Sequence, residues 1–319
     1  MEHQVKVSII CNTYNHEKYI RDALEGFVMQ KTTFPFEVLV HDDASTDHTA
    51  DIIREYEEKY PDIIKPIYQT ENQYSKKVGI NKTFQKPRVK GKYVAFCEGD
   101  DYWIDSLKLQ KQYDFMETHE DYSLCACSVI WLNMQTGKKT SLCQTAEDRD
   151  ISAEEIILEK KGRIFQTASI FMKSAFWIHS PEWTAKFPVG DYPLEIHAAT
   201  LGKVHMLADT MAVYRNCAEG SWTARIGKDA EYKTRMFYGL IEGLYAFNSA
   251  TNFRYDAVVS RRINQIKYNI ARTNRELKTL LSKELREIYK SRRFLSRVSD
   301  VLYCISPRLH AFIMRKLAR

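Results

Sequence analysis

The chain has 319 residues, is 44% hydrophobic and 28% charged, and carries a net charge of +6. These values are typical of a globular protein and allow one large domain or two smaller ones. No apolar run reaches about 18 residues, and the N-terminus lacks the basic start of a secretory signal, so we expect neither a transmembrane helix nor export. Seven cysteines without a CxxC pair favour reduced thiols in a cytoplasmic protein.

The first half of the chain alternates predicted strands and helices. Apolar runs predict strands at 5–11, 36–43, 63–69 and 93–97, and helical spacing of apolar residues predicts helices at 17–30, 45–61 and 106–120. Continuous apolar strands between amphipathic helices indicate a mostly parallel sheet with helices on both faces. In such a sheet, ligands bind beyond the carboxyl ends of the strands.

The second half is less regular, and its end is basic. Strands are predicted at 123–133, 167–176 and 203–215, helices at 152–160 and 193–202, and mainly helix after 228. We therefore expect a catalytic domain at 1–227 and a helical region at 228–319. Residues 254–319 hold 17 Lys/Arg and 5 Asp/Glu, a net +12, so the rest carries 6 − 12 = −6.

Two acidic clusters follow predicted strands. Asp42 and Asp43 end one strand, and Glu98, Asp100 and Asp101 follow another. Clustered carboxylates repel one another unless a cation neutralises them, and Mg²⁺ or Mn²⁺ prefers such oxygen ligands together with phosphates. The pattern thus indicates a metal–diphosphate site. Helix capping by the aspartates is an equal alternative on spacing alone.

Four stretches carry a family resemblance. They are, in order, VSIICNTYNHEKYI, FEVLVHDDASTDHT, KGKYVAFCEGDDYWIDSLKLQKQ and VGDYPLEIHAATLGKVHMLADTMAVYR. Together they resemble an inverting family 2 glycosyltransferase with the GT-A fold, of the bacterial surface-polysaccharide type. The resemblance implies transfer of a sugar from a nucleotide diphosphate sugar, UDP-linked by preference, to a saccharide or lipid-linked saccharide, assisted by Mg²⁺ or Mn²⁺.

The resemblance also implies nucleotide-binding residues. In that family the aspartate pair after the second strand contacts the nucleotide, so Asp42 or Asp43 would read the uracil edge, a carboxylate accepting a base N–H. Thr13 and Asn15 match the family's nucleotide-binding loop, although short polar side chains there also suit a helix cap. Lys82 lies between the two donor motifs and could meet phosphate, with a solvated loop as the alternative.

The family's D-x-D metal motif corresponds to Glu98-Gly99-Asp100 here. Since Glu98 stands where aspartate is usual, we expect Asp100 to ligate the metal directly. Glu98 would then meet ribose or sugar hydroxyls, and Asp101 would ligate the metal or orient its neighbours.

An acceptor hydroxyl needs a base to take its proton. The resemblance assigns this role to Asp191 in FPVGDYPLEIHAA, where local sequence alone predicts a helix N-cap. Gln166 and Trp222 are candidates for the acceptor side, with packing as the alternative for Trp222.

Two rival functions are less favoured. A nucleotidyltransferase would need a glycine-rich phosphate loop after the first strand, and CNTYNHEKY contains no glycine. A degenerate glycosyltransferase acting as a binding protein is disfavoured because Asp42, Asp43, Asp100 and Asp191 are all retained.

The basic C-terminal region contains the amphipathic stretches FLSRVSDVLYCI and RLHAFIMRKLAR. They predict peripheral contact with the inner face of the cell membrane, where cations attract anionic lipid and apolar side chains enter the headgroup region. Helices packed on the catalytic domain are the alternative. Nucleic-acid binding is not expected, because no recognised module accompanies the basic residues.

Overall fold

A mixed β-sheet organises the first of two units in the chain, Met1–Ser180 together with Leu194–Ala224. The computed structural model describes residues 4–142, 146–159, 163–219 and 229–317. The strands within them are β1 (Val7–Thr13), β2 (Phe36–Asp42), β3 (Ile64–Tyr68), β4 (Tyr93–Phe96), β5 (Tyr102–Trp103), β6 (Tyr122–Asn133), β7 (Lys139–Leu142), β8 (Arg149–Ile151), β9 (Phe171–Lys173) and β10 (Lys203–Asn216). Their order in the sheet is β3-β2-β1-β4-β9-β6-β10-β5, with β7 beside β6 and β8 beside β10.

The predicted parallel sheet is confirmed for β3, β2, β1 and β4, which pair in parallel, as do β6 and β10. β9 lies between these two groups and is antiparallel to both β4 and β6. The strand predicted at 167–176 is correspondingly shorter: a 3₁₀ turn, Thr167–Ser169, precedes β9, and a helix follows it. Because Ala95 pairs with Phe171, residues just before β9 lie at the edge where β4 ends.

Several α-helices accompany these strands along the chain. They are α1 (Ile20–Val28), α2 (Thr49–Lys59), α3 (Lys108–Thr118), α4 (Ala153–Leu158), α5 (Ser174–Ile178) and α6 (Asp191–Leu201), the last of which begins in the second unit. The apolar face of α1 buries Ile20, Leu24 and Phe27, as their helical spacing predicts. Phe27 meets Trp103 edge-to-face at 5.1 Å, and every residue of β2 is buried. The buried residues of the first half of the chain therefore form a core that holds β1, β2 and β4 in position.

The second unit consists of Pro181–Pro193 and Arg225–Arg319 and is helical where described. It contains α7 (Ala230–Ala250), α8 (Asp256–Thr273), α9 (Leu277–Leu280), α10 (Arg286–Ser291), α11 (Phe294–Ile305) and α12 (Pro307–Leu317). Trp183 packs on Phe247 with ring centroids 5.1 Å apart, so the 181–193 segment belongs with these helices. In the described part of the chain, no helix combines the length and apolar character needed to cross a bilayer.

Candidate active site

Backbone hydrogen bonds join three strand ends of the first unit. The Asp43 N–H donates to the Thr13 carbonyl and the Gly99 N–H donates to the Asn12 carbonyl, each at 3.0 Å. The Asn12 N–H donates in turn to Oε2 of Glu98 at 3.3 Å. The ends of β1 and β2 and the loop after β4 therefore meet at one edge of the sheet. Predicted residues far apart in sequence are thereby neighbours.

The two aspartates at the end of β2, Asp42 and Asp43, are both buried and hydrogen-bonded. The Asp43 carboxylate accepts the backbone N–H groups of Gln73 at 2.7 Å and Tyr74 at 3.0 Å. Asp42 accepts the Ser45 hydroxyl, and burial raises its pKa. An ionised carboxylate has about four acceptor positions. Asp43 can thus hold the 73–74 loop and retain acceptor capacity for a ligand N–H.

The loop after β1 is tied to the loop after β2 through Asn15. Its Oδ1 accepts the Thr46 N–H at 2.8 Å, and its own N–H donates to the Ser45 hydroxyl at 2.9 Å. Asn15 adopts a left-handed conformation with φ of 54°, which asparagine tolerates better than most residues. Asn15 therefore shapes the rim of the site through these internal bonds.

The acidic loop after β4 is anchored by Arg215, at the end of β10. The Arg215 N–H donates to Oδ1 of Asp101 at 2.8 Å, and its Nη1 donates to the Asp100 carbonyl at 3.0 Å. Burial, with the adjacent Asp100 charge, raises the pKa of Asp101 well above its ordinary value. Asp101 is thus an internal partner of β10, whereas Asp100 is only half-buried. Arg215 is the last residue of the fourth motif, and its local sequence gives no sign of this anchoring role.

The arrangement of the acidic residues suits a metal site with one protein carboxylate better than a site built from several. No group of three or more His, Cys, Asp or Glu side chains in the described ranges could hold a metal ion. Mg²⁺ and Mn²⁺ sites often use only one or two carboxylates and complete their coordination with phosphate oxygens. Asp100, next to Glu98 at the rim, suits such a site with a diphosphate present.

Thr13 and His16 both present unsatisfied polar atoms next to Gly99. Thr13 Oγ1 and His16 Nδ1 are buried and have no hydrogen-bond partner among the described residues. A Cβ built at Gly99 would lie 2.7 Å from the first atom and 3.0 Å from the second. Burial lowers the pKa of His16, which favours the neutral imidazole. Sequence analysis missed His16, although its place three residues after Thr13 in the loop following β1 was a usable signal.

The β1 loop also contains an exposed aromatic ring. Tyr14 follows β1 directly and is 44% exposed. An aromatic ring at the rim of a polar site offers a stacking surface for a planar ligand.

Lys82 and Arg88, two basic residues between β3 and β4, make different contacts. Asn12 Nδ2 donates to Oδ1 of Asn81 at 3.1 Å, which attaches the π-helical segment Asn81–Gln85 to β1. Lys82 in this segment is exposed and forms no ion pair within the described chain. Arg88 instead donates to the backbone carbonyls of Val40 and Lys65, so its role is internal. Lys82 remains the candidate for phosphate.

The acceptor-side candidates are placed as follows. Gln166 precedes the 3₁₀ turn before β9, at the edge where β4 ends, and its carbonyl accepts the Ser169 N–H. Asp191 is the first residue of α6 and lies in the second unit. Its Oδ1 accepts the N–H of the next residue, Tyr192, at 2.8 Å, so the carboxylate contacts the first turn of α6 from inside the helix. Trp222 lies outside the described residues.

Solved structures with similar folds were found. Residues 1–349 of Staphylococcus aureus TarS, in complex with UDP-GlcNAc, match with a TM-score of 0.61 and 19% identity over 95% of this chain and 82% of that one. The Pyrobaculum calidifontis mannosyltransferase PcManGT, with GDP-Man and Mn²⁺, matches with a TM-score of 0.53 and 13% identity over 97% and 88%. At these identities the likeness supports the fold alone, and it confirms the predicted GT-A class.

Sequence relatives were also found. An uncharacterised protein of Mycobacterium tuberculosis is 36% identical over 219 residues, 68% of this chain and 60% of that protein. The putative teichuronic acid biosynthesis glycosyltransferase TuaG of Bacillus subtilis is 39% identical over 110 residues, 34% of this chain and 41% of its own. An Escherichia coli β-1,3-glucosyltransferase named for UDP-Glc and α-D-GlcNAc-diphosphoundecaprenol is 35% identical over 114 residues, 36% of this chain and 42% of its own. The matches span less than two thirds of these relatives.

A family model covers more than half of the chain. Residues 8–180 match the model described as glycosyl transferase family 2. This range includes β1, β2, β4 and the acidic loop, and it decides against the nucleotidyltransferase alternative. The chain belongs to glycosyl transferase family 2, a family of transferases.

Proposed function

We propose that this protein transfers a sugar from a nucleoside diphosphate sugar, UDP-linked by preference, to a hydroxyl of a saccharide or lipid-linked saccharide. The reaction would proceed with inversion and serve surface-polysaccharide synthesis on the cytoplasmic side of the membrane. The names of relatives support this context: TuaG is named for teichuronic acid biosynthesis, and the Escherichia coli enzyme for a diphosphoundecaprenol-linked acceptor.

The donor would bind at the edge where β1, β2 and β4 end. Asp43 would accept the N–H of the base, and Tyr14 would stack on its face. Thr13 Oγ1 and neutral His16 would meet hydroxyl groups of the donor, because both atoms are buried without partners among the described residues. Lys82 would approach the diphosphate as a point charge. The carboxylate of Glu98 would accept from ribose or sugar hydroxyls.

The chemistry requires a departing diphosphate and an activated hydroxyl. Mg²⁺ or Mn²⁺, held by Asp100 and the diphosphate oxygens, would act as a Lewis acid toward the leaving group. The acceptor oxygen would form a bond to the anomeric carbon as the bond from that carbon to the diphosphate oxygen breaks. Asp191 would take the hydroxyl proton, as a positioned carboxylate can. Asp101 would keep the loop in place through Arg215 and would not touch the ion.

The observation that carries this proposal is the joining of three strand ends by the Asp43–Thr13 and Gly99–Asn12 hydrogen bonds. These bonds bring together the Asp43 carboxylate, the Thr13 hydroxyl and the loop that carries Asp100 at one edge of the sheet. A nucleoside diphosphate sugar offers a matching series of groups: base, ribose, diphosphate and sugar.

The test uses the whole chain with a panel of UDP-, GDP- and dTDP-sugars. Calorimetry with UDP, with and without Mn²⁺, measures nucleotide binding, and release of nucleoside diphosphate measures slow donor hydrolysis, which needs no known acceptor. We expect Mn²⁺-dependent binding of UDP and hydrolysis of one UDP-sugar above the others. Absence of binding would contradict the donor site. Binding without turnover of any donor would favour a catalytically degenerate protein.

A further inference from the structure

The two last described helices present large apolar side chains at the surface. Leu295 is 79% exposed and Phe312 is 56% exposed, on α11 and α12 respectively. We name this surface the C-terminal apolar face, and it consists of Phe294, Leu295, Val298, Ile305, Leu309, Phe312, Ile313 and Met314. Large apolar side chains clustered in this way on a soluble surface commonly mark an interaction site.

Polar contacts on the opposite side of α11 fix which way this face points. Asp300 is buried and accepts hydrogen bonds from Nε of Arg272 at 2.6 Å and from the Tyr268 hydroxyl at 2.9 Å. It also forms an ion pair with Arg292, whose Nε lies 2.7 Å from the carboxylate. Leu295, with Val298 and Ile305 three and ten residues further on, lies about half a turn away from Asp300 at 3.6 residues per turn. The buried acid therefore holds the apolar side of α11 outward.

Contacts between α11 and α12 give the two helices a defined arrangement. Ser299 and Tyr303 of α11 both meet His310 of α12, the first through a 2.8 Å hydrogen bond to Nε2 and the second edge-to-face at 5.4 Å. On α12, Leu309, Phe312 and Ile313 follow helical i, i+3, i+4 spacing along one side. The exposed apolar side chains therefore lie on two helices that are held against each other by contacts at His310.

The same helices are strongly cationic. Arg293, Arg297, Arg308, Arg315 and Lys316 form no ion pair with any carboxylate in the described ranges, while Arg292 is taken by Asp300. The sequence from 301 to 317 contains no Asp or Glu at all. A partner for this surface must therefore accept apolar side chains and supply negative charge next to them.

We propose that the C-terminal apolar face docks on the surface of an anionic phospholipid bilayer. Its apolar side chains would enter the acyl boundary, and the flanking arginines would pair with acidic headgroups, as amphipathic basic helices do. No spanning segment is needed for this contact. The proposal does not depend on the sugar-transfer reaction, because lipid binding is measured without donor or acceptor.

The experiment is co-sedimentation of the whole chain with two kinds of vesicle, phosphatidylcholine alone and phosphatidylcholine mixed with phosphatidylglycerol. We expect binding to the anionic vesicles that weakens with salt, since charges on the surface are screened. The double variant Leu295→Ser/Phe312→Ser should bind at least about tenfold more weakly, because two buried apolar side chains are lost. Arg308→Gln/Arg315→Gln should weaken binding about fivefold per cation.

The matched control is Tyr238→Ser/Tyr245→Ser on α7, where both rings are exposed to a similar degree, 54% and 55%, away from the C-terminal apolar face in sequence. This variant should bind vesicles like the parent, and circular dichroism should show all variants folded. Failure of the parent to bind anionic vesicles overturns the proposal, as does unchanged binding by Leu295→Ser/Phe312→Ser. A dimer in light scattering that this variant disrupts, without any lipid binding, assigns the face to a second copy of the chain and also overturns it.

Discussion

The backbone N–H of Arg215 donates a 2.8 Å hydrogen bond to Oδ1 of Asp101, which joins the end of β10 to the acidic loop after β4. Both residues are buried, with 6% and 2% exposed. The Arg215 guanidinium also lies 4.3 Å from the centroid of the Tyr102 ring and binds the carbonyl of Asp100. The position of Asp100 at the rim therefore depends on Arg215, whose side chain is held from several directions.

Replacing Arg215 with methionine should loosen the acidic loop while leaving the backbone bond to Asp101. We expect the free energy of unfolding to fall by about 1–3 kcal/mol, because the partly buried Asp100 carbonyl loses its donor. Donor hydrolysis should fall by roughly 100-fold if the loop shifts by about 1 Å. Urea unfolding and nucleotide release measure the two effects.

Arg21→Met is the matched control for this change. Arg21 forms an exposed pair with Glu55, with both side chains more than half exposed, and such pairs contribute only about 0–1 kcal/mol. Equal destabilisation by both variants would show that Arg215 is not a special anchor. Arg215→Lys should recover stability in part, since lysine supplies charge without the planar fork.

Asp100 and Asp101 should respond differently to the same substitution. Asp100→Asn removes the rim carboxylate and should weaken Mn²⁺-dependent UDP binding by at least about tenfold, because hard cations depend on charged oxygen ligands. Asp101→Asn keeps an acceptor for the Arg215 N–H and should leave this affinity nearly unchanged. Calorimetry in Mn²⁺ and in EDTA measures both.

Asp209→Asn provides the surface control for these two variants, because Asp209 is an exposed partner of Lys111. If Asp101→Asn abolishes the metal-dependent binding as fully as Asp100→Asn does, Asp101 is a direct ligand and its internal role is wrong.

Gly99→Ala should disturb the site without changing any charge. The new Cβ would lie 2.7 Å from Thr13 Oγ1 and 2.8 Å from its Cβ, closer than real contacts allow. Displacement of β1 or the loop should cost about 1–3 kcal/mol of stability and lower UDP affinity. Gly79→Ala is the control, since its Cβ would meet only Lys82 Cβ at 3.7 Å. Comparable melting temperatures for both variants would contradict the crowding at Gly99.

Much of this site was predictable from local sequence, because its carboxylates directly follow apolar strands. The strands ending at Asp42 and before Glu98 have continuous apolar runs, and parallel strands place their carboxyl ends at one edge. Arg215 was not predictable as an anchor, since its partner Asp101 lies 114 positions away. The two-residue strand β5, which pairs with β10 around Trp103, is too short to show any periodicity.

The antiparallel insertion of β9 has a similar explanation. Its three residues lie within an apolar run, 167–176, whose local pattern predicts one longer strand. Only pairing with both β4 and β6 determines its limits and direction. Tertiary contacts, which a local pattern does not contain, decided this part of the fold.

His41 should make stability depend on pH. It is fully buried, and burial lowers its pKa below the ordinary value, with Asp43 opposing this effect and Arg88 adding to it. Below about pH 6.5 the unfolded chain binds a proton that buried His41 does not, so the contribution of this residue to stability falls as pH falls. His41→Gln lacks this proton. Between pH 7.5 and pH 5, the parent should therefore lose more unfolding free energy than His41→Gln does.

Urea unfolding of both proteins across this range provides the measurement. Because groups distant from residue 41 titrate alike in both proteins, the difference reports chiefly on His41. A difference that stays constant with pH would mean that the pKa of His41 is the same in the folded and unfolded states.

Asp191→Asn should show whether Asp191 acts as the catalytic base or only supports the start of α6. Asparagine keeps an Oδ1 acceptor for the Tyr192 N–H, so the variant should keep its stability and its affinity for UDP. It cannot take the acceptor proton, and donor turnover should fall by about 10²–10⁴-fold. Asp229→Asn is the matched control, because Asp229 caps α7 by accepting the Tyr232 N–H at 2.9 Å and has no assigned chemistry. Loss of turnover in Asp191→Asn alone, with melting temperatures alike, supports the base. Equal turnover in the two variants would leave Asp191 with only its structural role at the start of α6.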